Sequence, residues 1–208
     1  MKIVFISDTH NMHDDLFVPE GDMVIHSGDV CNRGTRNEAV DFLIWFSKLP
    51  HRYKIFIAGN HDFIFENSPK LMEEGIPKNI FYLNDSMVEV EGIKIWGSPI
   101  SPWFHNWAFN RQRGAEIKQH WDLIPNDTDI LITHGPPEGI MDKTIYTQEN
   151  VGCKDLLNKV NQISPKIHCF GHIHEGYGIK EIGETTFINA SSVDINYKMN
   201  NKPIIKSI

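Results

Sequence analysis

The sequence has few cysteines and no long apolar run. Its three cysteines among 208 residues are scattered, and no two of them form a CxxC pair, so neither a disulfide framework nor a cysteine zinc site is expected. The apolar stretch that starts near Met1 ends at Asp8, which is too short for a signal peptide or a membrane span. We therefore predict a reducing compartment, the cytoplasm, and no membrane partner.

An excess of basic residues is also missing. The chain has 20 Lys and Arg against 27 Asp and Glu, a formal net charge of -7. A protein that binds nucleic-acid phosphates regardless of sequence usually carries a basic surface, so nucleic acid is not the expected partner. Bound divalent cations would add local positive charge that this count omits.

Short apolar runs alternate with helical patterns along the chain. With 40% hydrophobic residues, the length fits a single domain over residues 1–208. Buried strands are predicted at residues 2–7, 23–26, 54–58, 130–133 and 166–170, and helices at 36–48 and 154–163. This alternation predicts an α/β sandwich. Residues 81–83, 87–90 and 93–97 predict an antiparallel meander, and a hairpin over residues 178–189 is expected to close the chain.

Polar side chains follow the predicted strands, at the edge where open α/β sheets bind ligands. They are Asp8 and His10 after the first strand, Asp29 after the second, Asn60, His61 and Asp62 after the third, His134 after the fourth, and His172 and His174 after the fifth.

Each of these groups has a structural alternative. Asp8 and Asp29 are also suited to capping helices, and His134 is followed by two prolines that would stiffen a turn. The tetrapeptide Gly59-Asn60-His61-Asp62 is the more specific signal, because a given tetrapeptide arises by chance in roughly one chain of this length in a thousand. In Gly171-His172-Ile173-His174, two imidazoles lie on one side of an extended segment.

In this order the motifs DxH, GD, GNHD, H and GHxH, from Asp8 to His174, resemble the signature of the calcineurin-like metallophosphoesterases. The resemblance implies a four-layer αββα sandwich of two mixed β-sheets flanked by helices. It also implies two divalent metal ions. Asp8, His10 and His174 would bind one ion, Asn60, His134 and His172 would bind the other, and Asp29 would bridge them.

The residue types fit this chemistry. Carboxylate, amide and imidazole ligands suit manganese, iron or zinc better than calcium. Two such ions can share a hydroxide that attacks phosphorus and can stabilise the phosphoryl oxygens. His61 lies beside Asn60 without being needed as a ligand, so we predict that it is the general acid. Asp62 would either orient the His61 ring or cap a helix.

The substrate is less closely defined. The motifs WGSP, WAFN and RG, which overlap or lie within residues 98–114, together with THGPP at residues 133–137, resemble the MPPED-like group, related to class III cyclic nucleotide phosphodiesterases, and imply a small phosphodiester substrate. Trp103, Phe104 and Trp107 would form either a stacking surface for a base or an aromatic plug over the core. Phosphate contacts are predicted for His105, Asn110 and Arg113.

Two features of the sequence bear on whether the substrate is a phosphomonoester or a phosphodiester. Arg33 in Asn32-Arg33-Gly34 resembles the phosphate-holding arginine of Ser/Thr protein phosphatases, but Ala58 stands where those enzymes carry a second arginine. An incomplete clamp favours a diester with one charge over a dianionic monoester. The alternatives are a phosphomonoesterase, protein phosphatase or nuclease, and a weakly catalytic metal-binding scaffold.

Overall fold

The fold is described by a computed structural model that covers residues 1–145 and 148–208. Within these ranges the strands are β1 (Lys2–Ile6), β2 (Met23–His26), β3 (Tyr53–Phe56), β4 (Phe81–Tyr82), β5 (Ser86–Val90), β6 (Ile93–Ser98), β7 (Ser101–Pro102), β8 (Asn110–Arg111), β9 (Ile130–Thr133), β10 (Ile167–Phe170), β11 (Gly178–Ile182), β12 (Thr185–Asn189) and β13 (Ile204–Ser207). The helices are α1 (Arg36–Lys48), α2 (Phe63–Asn67), α3 (Pro69–Gly75), α4 (Ala115–Asp122) and α5 (Lys154–Ile163), with short 3-10 helices at His13–Asp15 and His174–Gly176.

Two mixed sheets form the centre of the molecule. The five-stranded sheet has the order β13-β1-β2-β3-β4, and the six-stranded sheet has the order β11-β12-β10-β9-β6-β5. The inner neighbours of each sheet pair in parallel, whereas β13, β11 and β5 are antiparallel edge strands. A small parallel pair, β7 and β8, lies in the segment that follows β6.

Alternation along the buried strands places side chains in two different layers. Ile3 and Phe5 of β1 belong to a core that contains apolar residues of both sheets, including Ile130 and Ile132. Val4 and Ile6 instead share a cluster with the helices. Phe42 of α1 packs on Phe56, with ring centroids 5.5 Å apart. The predicted αββα sandwich is therefore confirmed.

The two longest predicted helices and the predicted hairpin are confirmed. Helices α1 and α5 have the predicted bounds, and Thr35 and Glu38 form a capping box that fixes the start of α1. β11 and β12 pair antiparallel as the hairpin. The hairpin does not close the chain, however, because β13 follows it and pairs with β1.

The predicted three-strand meander is wrong. β5 and β6 pair antiparallel in one sheet, but β4 pairs in parallel with β3 in the other. The Leu83 side chain is buried in the core between the sheets, and its N–H donates to the Phe56 carbonyl at 2.9 Å. The chain thus passes from one sheet to the other between β4 and β5, so neighbours in sequence are not neighbours in a sheet.

None of the described helices combines the length and the apolar character needed to cross a lipid bilayer.

His168 of β10 supports an expected dependence of stability on pH. Its Nε2 lies 2.8 Å from the Thr133 hydroxyl, and burial lowers its pKa to about 3. Because the unfolded chain has a histidine pKa of about 6.5, it takes up the proton first, and stability falls as the pH drops from about 6.5 toward 3. Between pH 7.5 and 5 this group should lower the free energy of unfolding by about 2 kcal/mol.

The measurement is urea unfolding of the wild type and of His168→Gln at both pH values. Between pH 7.5 and pH 5, the free energy of unfolding of the variant should fall by about 2 kcal/mol less than that of the wild type. The other histidines titrate in both proteins, so their effects cancel in the difference. Equal losses in the two proteins would rule out a neutral, buried His168.

Candidate metal centre

The predicted metal ligands meet at one edge of the sandwich. β1, β2 and β3 of one sheet and β9 and β10 of the other end beside this edge, and each is followed by ligand-type side chains. Groups of such side chains approach within 4.8 Å of one another. The structure brings together residues up to 166 positions apart, Asp8 and His174.

One group contains Asp8, His10 and His174. His174 Nε2 lies 3.8 Å from Asp8 Oδ1. Asp8 is fully buried, and its carboxylate also accepts hydrogen bonds from the His172 N–H at 3.1 Å and from the Ser191 hydroxyl at 2.8 Å. Although burial alone would raise it, the pKa of Asp8 is lowered by His174, so the carboxylate is ionised.

The second group contains Asp29, His134 and His172, and Asn60 completes it. His134 Nδ1 lies 3.0 Å from the Ser27 carbonyl, to which it donates, so Nε2 faces Asn60 Oδ1 at 2.7 Å and Asp29 Oδ2 at 3.3 Å. Although burial alone would lower it, Asp29 raises the pKa of His134. A positive charge is therefore favoured between these atoms.

Asp29 lies between the two groups. Its Oδ2 is 3.3 Å from His134 Nε2 and 3.9 Å from His10 Nε2. It also forms a third group with His10 and His61. This is the position expected of a carboxylate shared by two cations.

His10 provides the test of whether the cluster suits a metal. Its ring is 3% exposed, and neither ring nitrogen has a hydrogen-bond partner among the described residues. Buried polar atoms are normally paired, so an unpaired imidazole facing two carboxylates is accounted for by a cation. Burial lowers the pKa of His10 and of His172 to about 4, and neutral imidazole is the form that binds metals.

Glycines allow the ligands to approach each other this closely. A Cβ atom on Gly59 would lie 2.4 Å from Asp29 Oδ1, and one on Gly171 would lie 2.0 Å from Asp8 Oδ2. Both distances are well inside van der Waals contact. The glycines of GNHD and GHxH are thus required by packing around the carboxylates.

His61 lies at the edge of the cluster and is held in place by backbone contacts. Its N–H donates to Asp29 Oδ1 at 2.8 Å, and its Nδ1 lies 2.8 Å from the Asn32 carbonyl. Since a carbonyl can only accept, Nδ1 carries a proton and Nε2 is the nitrogen that can gain or lose one. This supports the predicted proton-donor role and gives the Asn32-Arg33-Gly34 turn a function.

The prediction that Asp62 orients the His61 ring is wrong, since Asn32 makes that contact. Asp62 is instead fully buried and accepts hydrogen bonds from the N–H groups of Val30, Cys31 and Gly59 at 2.7 to 3.2 Å. Burial, together with Asp29, raises its pKa to about 7. It stands at the start of α2 without capping it. Its role is to join the loops that follow β2 and β3.

Two of the predicted substrate residues, Trp103 and Phe104, line a cavity beside the metal-ligand candidates. Trp103 and Phe104 are 50% and 61% exposed, so they do not form a plug over the core. They line a cavity of about 770 Å³ that also reaches Arg113 and the metal-ligand candidate His172.

The remaining candidates other than Arg113 are not among the described residues that line this cavity. Trp107 stacks on His61, with ring centroids 4.3 Å apart. The Asn110 amide donates to the Phe104 and His105 carbonyls and accepts from Ser101, so both ends of its amide are bound within the loop, and its contact with phosphate stays a prediction. His105 and Arg33 are exposed, and the structure does not bring the Arg33 side chain into the cluster. Arg113 donates to the carbonyls of Val151 and Gly152 at 2.7 Å.

Sequence reasoning missed two residues of the site. Ser191, which donates to Asp8, is the second residue after β12, and its position after a strand was a signal that could have identified it. Tyr197 lies with its ring centroid 5.0 Å from His10 and 5.1 Å from His174. No motif in the sequence marks it.

An αββα sandwich with an Asp, Asn and His cluster between the ends of its two sheets defines the class of metal-dependent phosphoesterases. The chain belongs to the calcineurin-like phosphoesterase family, whose sequence profile matches residues 1–176. This family hydrolyses phosphoric esters and uses divalent metals, so the predicted superfamily is confirmed.

Similar proteins agree with this assignment. Metallophosphoesterase domain-containing protein 1 of Homo sapiens is 42% identical over 227 residues, which cover 98% of this chain and 70% of the human protein. UPF0046 protein C25E10.12 of Caenorhabditis elegans is 40% identical and covers 100% of this chain and 81% of its own length. The crystal structure of TT1561 of Thermus thermophilus has a TM-score of 0.62 at 13% identity, with 90% of this chain and 88% of that chain covered. It shows the shared fold.

Proposed function

We propose that the protein is a phosphodiesterase that hydrolyses a small diester with two divalent cations, manganese, iron or zinc, and that His61 protonates the leaving group. The observation that carries the proposal is the aromatic cavity beside His172. It places a surface for a planar group directly next to the metal-ligand candidates.

The cavity suits a ligand with an apolar, planar part. Pro102, Trp103, Phe104 and Pro136 contribute to its lining, and half-exposed indole and phenyl rings bind planar groups by stacking. A volume of about 770 Å³ falls within the range of small-molecule sites. A nucleoside or an aromatic alcohol attached to the phosphate would fit this description.

The charges near the site favour a diester over a monoester. Arg113 and Lys154 line the cavity together with Glu138, Glu149 and Asp155, so its side chains provide no net positive charge. Arg113 also donates to two carbonyls, and Ala58 occupies the position of a second arginine. A dianionic monoester would depend on such groups more than a diester with one charge.

The residues of the chain have distinct roles in this reaction. Two cations, when bound, would lower the pKa of a bound water and stabilise charge on the phosphoryl oxygens. Asp8, His10 and His174 would hold one cation and Asn60, His134 and His172 the other, with Asp29 shared. His61 is fixed through Nδ1 on the Asn32 carbonyl, so its Nε2 is the atom that delivers a proton to the leaving oxygen.

A substrate panel tests the proposal. Protein stripped of metal is assayed on bis(p-nitrophenyl) phosphate, p-nitrophenyl phosphate, cyclic nucleotides, phosphopeptides and DNA, with manganese, zinc or iron restored separately. We expect no hydrolysis without metal and a higher kcat/KM for the diesters than for the monoester. Faster hydrolysis of the monoester, of phosphopeptides or of DNA would contradict the phosphodiesterase assignment, and metal-independent hydrolysis would contradict the whole mechanism.

A further inference from the structure

We infer that Trp107 is a positioning residue, which holds the His61 ring in the orientation that lets Nε2 act as proton donor. The inference rests on the proposed function, because it concerns the same proton transfer. It changes the role of Trp107 from a surface for the substrate to a support for the catalytic side chain.

The first observation is the contact between the two rings. The Trp107 and His61 centroids are 4.3 Å apart, and the ring planes are inclined by 27°. His10 approaches the His61 ring in a T-shaped contact at 4.7 Å, and the Asn32 carbonyl binds its Nδ1. The ring is thus restrained by three neighbours, and the indole is the only stacking partner among them.

The second observation is that Trp107 itself is firmly held. The next residue, Ala108, is fully buried, and its N–H donates to the Asn60 carbonyl at 3.1 Å. The indole also packs against Phe63 of α2, with centroids 5.9 Å apart. Trp107 is therefore held against residues on both sides of His61, through Asn60 by the backbone of the next residue and through Phe63 by its own ring.

The third observation separates Trp107 from its aromatic neighbours. Trp103 and Phe104 line the cavity, whereas Trp107 is not among the described residues that do so. Among the aromatic residues of segment 98–114, Trp103 and Phe104 thus face the cavity and Trp107 faces His61. A residue that faces His61 should affect the chemical step more than substrate binding.

The expected effects follow from the geometry of proton transfer. A general acid must lie within hydrogen-bond reach of its acceptor, and a misplacement of about 1 Å can reduce a rate about 10²-fold. Trp107→Ala should lower kcat about 10- to 100-fold for an ester with a poor leaving group and leave KM nearly unchanged. For a p-nitrophenyl ester, whose leaving group needs no proton, kcat should change little. Trp107→Phe retains a flat ring and should recover most of the loss.

A double-mutant cycle decides whether Trp107 acts through His61. Rates are measured for the wild type, His61→Ala, Trp107→Ala and the double variant. The substrate is the ester with a poor leaving group that the wild-type protein hydrolyses fastest in the substrate panel. If Trp107 only positions His61, the double variant should be no slower than His61→Ala. Losses that multiply would overturn the inference. Since the cycle runs on whichever ester is hydrolysed, a monoester preference would contradict the proposed function without affecting this result.

Two further measurements distinguish positioning from a general structural effect. Trp45 packs against His13 with centroids 4.9 Å apart, and neither residue belongs to a ligand group, so Trp45→Ala is a matched control that should keep the wild-type dependence on the leaving group. The fluorescence of Trp107, taken as the difference between wild type and Trp107→Phe, should change when His61 is replaced by Ala. An unchanged emission would show that the rings do not stack.

Discussion

Replacing His61 with alanine should slow hydrolysis of a diester with a poor leaving group by about 10²- to 10⁴-fold, the usual contribution of a general acid. The departing alkoxide needs a proton, and Nε2 of His61 is the nitrogen free to supply it, because Nδ1 is bound to the Asn32 carbonyl. Hydrolysis of bis(p-nitrophenyl) phosphate should be slowed far less, because its leaving group needs no proton. Metal content should stay at the wild-type level, since the ligand groups of Asp8 and His134 do not depend on the imidazole of His61.

The measurement is kcat over a series of leaving groups, with the metal bound per chain determined in parallel. His120→Asn is a suitable control, because His120 of α4 pairs with Asp85 at 2.7 Å and has no part in the cluster. A uniform loss over the whole series would indicate a damaged site and not a missing acid. Unchanged rates would remove His61 from the mechanism.

The Asp29→Asn variant should lose bound metal, and its activity should fall at least about 10²-fold. Removing a residue that only supports a metal ligand typically costs about 10- to 100-fold, so the loss of a shared ligand should reach or exceed the upper end of that range. Asparagine preserves the shape of the side chain and can still accept the His61 N–H, but it removes the negative charge between His10 and His134. Because Asp29 Oδ2 faces both of these imidazoles, both metal positions should weaken together.

Metal per chain after dialysis against manganese or zinc, together with kcat at saturating substrate, checks this expectation. Asp41→Asn is the matched control, since it makes the same change in net charge at a side chain that is 58% exposed. If Asp29→Asn binds two metals and retains activity, Asp29 is not a shared ligand.

The fold and the metal cluster could be predicted for different reasons. Buried parallel strands are continuous apolar runs, so β2 and β9 were recognised with their observed bounds, and the ligands follow strands whose ends meet. The pairing of β4 could not be predicted, because a short apolar run shows that a strand forms but not which strand it joins. In the structure the Leu83 side chain lies in the core between the sheets, at the point where the chain passes from one sheet to the other.

The residues around the ligands were harder to predict for a related reason. The partner of the His61 ring is a backbone carbonyl, which any residue would supply, so the sequence points only to the neighbouring carboxylate of Asp62, with a helix cap as its alternative role. In the same way, Asn110 has the chemistry of a phosphate contact but uses both ends of its amide inside the loop. Side-chain type indicates what a residue can bind, whereas the fold determines which partner is within reach.

The backbone of the metal centre is strained at several of the candidate ligand positions. Four of the seven ligand candidates, Asp8, His10, Asp29 and His172, have left-handed φ values between 42° and 65°, and non-glycine residues in such conformations cost about 1 to 3 kcal/mol each, with Asp and His among the more tolerant. Mutations to glycine at these positions would relieve that cost in a chain selected for folding alone. At these four positions folding and metal binding therefore favour different residue types, because glycine would relieve the backbone strain but would remove a candidate ligand.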